Sequence, residues 1–532
     1  MALPMSTDPH RVGQTSSLPR QRASARAFDV LPSASPPGAG WKPALRFGQI
    51  VRPLLPEGLP AAPSRNPQSC RTVPAYERWR DLSRPGGHAG IPLALILLLF
   101  SWTLPARAET VLLTGATVHT VSGPTLSPGQ VLIRDGRIEA VGTAIPSKAD
   151  KVVKLEGRHL YPGLIAASTS LGLIEIDAVR ATRDANEVGD YTPDVESWVA
   201  VNPDSELIPV ARANGITHFQ PVPTGGIVAG QSGLLSADGW TSEEMTVKKP
   251  VALHLFWPGM ELNTTPKEEF RDKTKWKSLE DQAKERREKV RAVEDFFEEA
   301  RAYARAREAG GKDGLPAEKV VPAWEAMLPY VRGNLPLMVH ADDARQIKAA
   351  VQWASSNFWR IILAGGRDAW KVADLLATNH VPVVFERIYN QGNDLASTPG
   401  RDTDPYDVYF RAPAVLHKAG VKVIFSIGLG GEPATVTRNL PYCAAQAVAF
   451  GLPEEEAIKG ITLYPAEILG VADRLGSIEA GKEATLFAVD GNILDIRSNV
   501  KRMWISGKEV SLESRHTRLY EKYKARPKSA PH

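Results

Sequence analysis

The run Tyr161-Pro162-Gly163-Leu164-Ile165-Ala166-Ala167-Ser168-Thr169-Ser170-Leu171-Gly172 decides how the rest of the chain is read. An apolar stretch follows the Pro-Gly pair and runs out into Ser168 and Ser170. Serine hydroxyls are neutral at pH 7 and far weaker donors to a divalent transition metal than imidazole. Downstream, apolar β-rich runs alternate with helical ones. Residues 336–340 precede a helix expected at about 342–355, and 360–364 precede another at about 367–379. Residues 381–386 and 421–426 complete four strand candidates. Their spacing of about 20 residues, doubled once across a Gly/Asp/Pro-rich loop at about 389–408, is that of successive βα units. The expectation is an α/β fold built on a distorted (β/α)8 TIM-type barrel over 162–473.

Short strands flank this region. On the N-terminal side they are 111–113, 115–120 and 130–134, with Asp135-Gly136 as a tight hairpin turn into 137–142. A similar register returns at 476–489 and 500–510. Neither set has enough strands to cover both of its faces, so one composite β-sandwich is expected from 109–161 and 474–511. A basic tail, 512–532, follows. Residues 264–312 interrupt the βα rhythm with mixed charge around Leu279, Val290, Val293, Phe296 and Phe297. That pattern reads as one or two solvated helices or a lid, carrying i,i+4 ion pairs.

The run at 161–172 resembles the first barrel strand of the amidohydrolase superfamily, in which Pro-Gly-hydrophobic-hydrophobic-Asp is followed by His-x-His. Ala166 stands at the aspartate, and Ser168 and Ser170 stand at the two histidines. The flanking segments resemble the small β domain of amidohydrolases related to imidazolonepropionases, over about residues 110–510, including the Gly-x-x-x-x-Gly-Lys turn at 476–482. Thr485 departs from the family's usual aspartate. The resemblance implies a hydrolase of carbon–nitrogen (non-peptide) bonds in cyclic amides, with zinc or another divalent metal held at the C-terminal ends of the strands.

At those positions the chain has His340 on the fifth strand, Ala364-Gly365-Gly366 where the sixth usually has His-Gly, and Phe425-Ser426-Ile427 where the eighth usually has Thr-Asp. A zinc site needs three or four converging donors. One imidazole does not supply them, so no metal and no other cofactor is expected.

Two functions follow. The first is a hydrolase in which His340 is general base with Glu386 or Asp184 assisting, a weaker arrangement than metal hydroxide. The second is an exported, catalytically inactive pseudoenzyme that binds a small amide-like ligand or a catalytically intact homologue. Ligand contacts are expected from Ser168, Ser170, Ser426 and a glycine-bearing loop after the second strand with Gly226, Gln231 and Ser232. His218 and His254 sit near strand ends, where a lone histidine is more often a hydrogen-bonded core residue than a ligand.

The N-terminal segment has a different character. Residues 1–90 are rich in Pro, Ser, Arg and Gly without helix or strand period and read as disordered or untranslated. The apolar run 91–104, followed by Pro105 and Ala106-Arg107-Ala108, has the form of a signal-peptide core with an A-x-A cleavage site, and Arg78, Arg80 and Arg84 supply its basic flank. Translation from a non-Met codon near Val73 or Leu82 is then expected, with a mature chain that begins at Glu109, is exported to the periplasm or beyond, and keeps no membrane span.

Residues 1–108 hold 13 of the 64 Lys+Arg and 5 of the 60 Asp+Glu, so the remainder has a formal net charge of −4. Nucleic-acid binding loses its compositional support. Cys443 remains as a lone cysteine in an apolar helical context, which predicts burial as a small hydrophobe.

Overall fold

A computed structural model of the chain describes residues 109–309, 319–386, 388 and 404–527. The expected leader and signal peptide, most of the loop expected at about 389–408, and residues 528–532 lie outside the described residues.

Strands β1 (Thr110–Val118), β2 (Leu126–Arg134), β3 (Arg137–Gly142), β4 (Lys151–Lys154) and β5 (His159–Pro162) come from the first segment. Asp135 and Gly136, with φ of 48° and 77°, make the tight turn between β2 and β3. The eight barrel strands follow: β6 (Leu164–Thr169), β7 (Ile216–Pro221), β8 (Val228–Ser236), β9 (Thr246–Phe256), β10 (Leu337–Ala341), β11 (Ile361–Gly365), β12 (Val383–Phe385) and β13 (Val423–Phe425). The C-terminal segment adds β14 (Leu486–Val489), β15 (Val500–Ile505) and β16 (Lys508–Glu509).

The two ends of the described chain share one sheet. Its order is β16-β15-β14-β5-β1-β2-β3, with β4 paired to β1. The junction is the antiparallel pair β14–β5, where Leu486 faces Pro162 and Ala488 faces Leu160. Val118, Val131, Ile138 and Leu160 from one end pack with Ile478, Leu486, Ala488 and Trp504 from the other in a single apolar core.

The second sheet runs β13-β12-β11-β10-β9-β8-β7-β6, and a parallel bridge between Thr169 and Gly428 joins its two edges. All neighbours are parallel except β8, which runs antiparallel to both β7 and β9. A three-strand meander therefore stands where two βα units would be. Gln231 and Ser232, expected in a loop, lie inside β8, because 222–227 alone turns the chain back onto β7.

Period-two alternation sorts the barrel residues. Ala167, Ala252, Met338, Ile362, Ala364, Val384 and Ile424 pack together in the barrel interior, while Leu253, Leu255, Leu337, Val339, Leu363, Val383 and Phe425 join the large core under the surrounding helices. Two residues further along, the interior face reaches His254, His340, Glu386 and Ser426.

The charged run forms one helix, Leu279–Ala309. It carries i,i+4 pairs such as Lys289–Glu285 at 3.1 Å, and it buries Val293, Phe297, Ala300 and Ala304. Phe297 meets Trp353 edge-on with ring centres 5.0 Å apart. Cys443 is buried, and burial pushes its thiol well above the usual range. Among the described residues no helix is long and apolar enough to cross a membrane.

Leu486→Ala tests the shared core. Leu486 is fully buried between strands from both ends of the chain, so removing it is expected to cost about 2–5 kcal/mol of unfolding free energy in a denaturant titration.

Candidate functional site at the C-terminal end of the barrel

Ser168, next to last in β6, has a φ of 54°, a left-handed conformation that strains a residue bearing a Cβ. Each of its polar groups is engaged. Its N–H donates to Gln220 Oε1 at 3.2 Å, its Oγ donates to Glu386 Oε1 at 2.5 Å, and its carbonyl accepts from Ser426 Oγ at 2.7 Å. Gln220 continues the network through Nε2, which donates to Ser232 Oγ at 2.8 Å. Ser232 Oγ lies 2.7 Å from His254 Nε2, and His254 Nδ1 lies 3.0 Å from His340 Nε2. A hydrogen-bonded chain thus runs from Glu386 through Ser168, Gln220, Ser232 and His254 to His340.

Burial dominates the electrostatics of this chain. It pushes the His340 imidazole down to about 3, against the opposing pull of the Asp342 carboxylate. His254 is held well below the histidine range by burial and by His340 beside it. Both rings are therefore neutral at pH 7, and the contact between them holds one proton. His340 also stacks on Phe256, with ring centres 4.1 Å apart.

A cavity of about 320 Å³ opens above this network, lined among others by Phe256, His340, Asp342, Gln346, Glu386 and Leu429. Asp342 is fixed by the Arg367 N–H, which donates to its Oδ1 at 3.1 Å. Gly365 also lines the cavity, and at its φ of +92° a Cβ would stand 2.8 Å from Asp342 Oδ1, so this strand end has no room for a side chain.

The structure brings His340 and Glu386 to one cavity and leaves the other candidate residues elsewhere. Asp184 is exposed on the loop after β6, its N–H donating to Leu173 O at 2.8 Å, and it does not line the cavity. Gly226 occupies a tight turn where a Cβ would meet Gly189 O at 2.4 Å. Gln231 points away from the barrel interior, accepting from Tyr330 OH at 3.0 Å and donating to Pro193 O at 3.0 Å. Ser168, Ser170, Ser232 and Ser426 are buried beneath the cavity, not on its lining. Ser170 Oγ accepts from the Gly430 N–H at 2.9 Å.

Sequence reasoning passed over Gln220 and Asp342. Gln220 shares a strand face with His218, and Asp342 stands two residues past His340, so period-two spacing from the named histidines was the available signal. His254, expected as a hydrogen-bonded core residue, is buried with Ser232 and His340 as its polar partners.

The donor set can be tested against the divalent-metal centre that the resemblance implies. The facing nitrogens of His254 and His340 share a proton, and the hydroxyls of Ser168, Ser170 and Ser426 are neutral and already bonded. Among the described residues no group of three or more His, Cys, Asp or Glu side chains is placed to hold a metal ion. This donor set does not fit such a centre.

Comparison with known proteins agrees with the architecture. Residues 407–510 match the family described as "Amidohydrolase family". Amidohydrolase tasK of Hapsidospora irregularis is 22% identical over 413 residues, 71% of this chain and 39% of that protein. The N-acetylglucosamine-6-phosphate deacetylase of Caenorhabditis elegans is 33% identical over 104 residues, 18% of this chain and 24% of that protein. The chain thus spans well under half the length of either curated relative. The solved structure of an amidohydrolase from Thermotoga maritima superposes with a TM-score of 0.63 at 28% identity, covering 75% of this chain and 99% of that one.

His218, fully buried on β7, gives a pH test. Burial, with Arg474 nearby, pushes its imidazole down to about 3. Below the ordinary histidine value of about 6.5 the unfolded chain takes up a proton that folded His218 refuses. Stability contributed by this group is therefore complete above about 6.5 and is lost as pH falls from there toward about 3. In denaturant titrations over that window His218→Gln is expected to show a shallower slope, by up to about 1.4 kcal/mol per pH unit.

Proposed function

Because this chain belongs to the amidohydrolase superfamily, we propose that it hydrolyses carbon–nitrogen bonds of small amide-bearing substrates, cyclic amides among them, without the divalent metal that the resemblance implies. The observation that carries this reading is the convergence of Glu386 and His340 on one cavity at the C-terminal end of the barrel, where such folds place their chemistry. Glu386 is the general base in place of the expected His340, whose buried imidazole, pushed down to about 3, is a poor proton acceptor. The Glu386 carboxylate takes a proton from the attacking water and returns it to the departing nitrogen. Ser168 holds the carboxylate in one orientation. Neutral His340, stacked on Phe256, offers a hydrogen bond to the polarised carbonyl.

A second reading rests on the hydroxyls of Ser168, Ser170 and Ser426, all engaged in internal bonds. In that reading the cavity binds an amide-like ligand without turning it over, as an exported partner of a catalytically intact homologue.

Hydrolysis of a panel of lactams, cyclic imides and acyclic N-acyl amines separates the two. The first reading expects turnover that survives chelator and falls by about 10²–10³-fold in Glu386→Gln with the fold retained. Binding without turnover supports the second. Elemental analysis after purification without chelator checks the metal claim. Stoichiometric zinc, nickel, manganese or iron that disappears in His340→Ala would return the chain to the metal-dependent hydrolases.

A further inference from the structure

The opposite end of the barrel has a larger opening. A cavity of about 620 Å³ lies among the N-terminal ends of β10, β11, β12 and β13, beside the first half of β9. Its wall is apolar, with Leu335, Ile361, Ile362, Leu376, Val421 and Ile468 contributing. Lys248, Arg360, His380 and Lys422 also line it, and Glu467 is the carboxylate among the described lining residues. Lys422 pairs with Glu467, so that carboxylate is already matched by one of the cations.

Lys248 and Arg360 are then left over, and among the described residues neither forms an ion pair in this wall. Lys248 Nζ donates to Leu469 O at 3.1 Å and Gly470 O at 2.7 Å, which leaves one of its three protons for a further acceptor. Among the described residues the Arg360 guanidinium makes one long bond, from Nη2 to Asn334 O at 3.4 Å. Asp473 lies outside the lining and is the acid whose field reaches Lys248, while Arg360 acts on Lys248 in the opposite sense. Burial weakens the Lys248 ammonium more than either neighbour does. The charge of an arriving anion would act on the ammonium in the opposite sense, favouring its protonated form.

We propose that this cavity is a second binding site, independent of the cavity at the barrel mouth, for a small organic anion with an apolar body, such as a medium-chain or aromatic carboxylate. The carboxylate lies between Lys248 and Arg360, and the hydrocarbon lies against the ends of β11 and β13. Inorganic anions lack the body that the apolar wall covers, and hydrophobic cations meet Lys248 and Arg360 with the wrong sign.

Isothermal titration of the purified chain with sodium octanoate, octylammonium chloride and inorganic phosphate tests this. Octanoate is expected to bind at one site per chain, at least tenfold more tightly than either control. Arg360→Glu is expected to weaken octanoate by at least tenfold, and Arg360→Lys to restore it to within about threefold. Arg360 is exposed, so both variants should fold, and circular dichroism checks that they do. Octanoate affinity unchanged in Arg360→Glu, or phosphate or octylammonium binding as tightly as octanoate, would overturn the proposal. Amide hydrolysis at the barrel mouth should be the same in these variants, which keeps this test separate from the reading of the mouth.

Discussion

The left-handed turn at Ser168 is the constraint on which the mouth of the barrel depends. A Cβ-bearing residue in that conformation costs on the order of 1–2 kcal/mol, and it persists because the three bonds of Ser168 hold it from β7 and from the residues that follow β12 and β13 at once. The same turn shifts the register between β6 and β7 after Ala166 and lets Thr169 reach Gly428 across the seam. Barrel closure and the orientation of Glu386 therefore share one cause. A change that straightened Ser168 would loosen the seam and release the carboxylate together.

Burying so many polar groups in a barrel interior is tolerable only if each finds a partner. Here partners are found in sequence around the interior, from Glu386 to His340, with no charged imidazole along the way. The low polarity that keeps His254 and His340 neutral also strengthens every bond between them. A set of this kind resists rearrangement, because moving one member strands its neighbours. The His254–His340 contact thus fixes which face His340 presents to the cavity, and the stack on Phe256 fixes its plane.

Much of the frame was legible in the residues. The apolar runs around 337–341, 361–365, 383–385 and 423–425 became parallel strands close to the expected places, since buried parallel strands read as continuous apolar runs. Asp135-Gly136 marked its turn for the ordinary reason that both residues accept positive φ. The reversal of β8 was not legible. Gly225, Gly226 and Gly230 announce a tight turn, but the same glycines suit a ligand loop, and only tertiary pairing with β9 tells them apart. The site was half legible for a related reason. His340 and Glu386 stand at strand ends where chain position alone points to the cavity, whereas Asp184, Gly226 and Gln231 were judged by residue type. Whether a polar side chain faces a cavity or a neighbouring carbonyl is decided by strand direction and register, which composition does not contain.

The reversed strand also explains what surrounds His254. In a run of βα units the third strand would deliver its C-terminal end to the barrel mouth and its helix to the outside. Because β8 runs the other way, its beginning stands beside the end of β9, and the pairing of Gly230 with His254 brings Ser232 within reach of the imidazole. Position 230 has a φ of +120°, and a Cβ there would strike Val195 O at 2.7 Å, so the segment after β6 presses directly on the meander. That segment supplies bridges at Tyr191 to Val228 and Glu196 to Gln231. The loop therefore covers the flank that a helix would otherwise occupy, and it carries Asp184 away on its outer surface. The direction of one strand thus gives His254 its hydroxyl partner, while His340, Asp342 and Glu386 line the cavity at the barrel mouth.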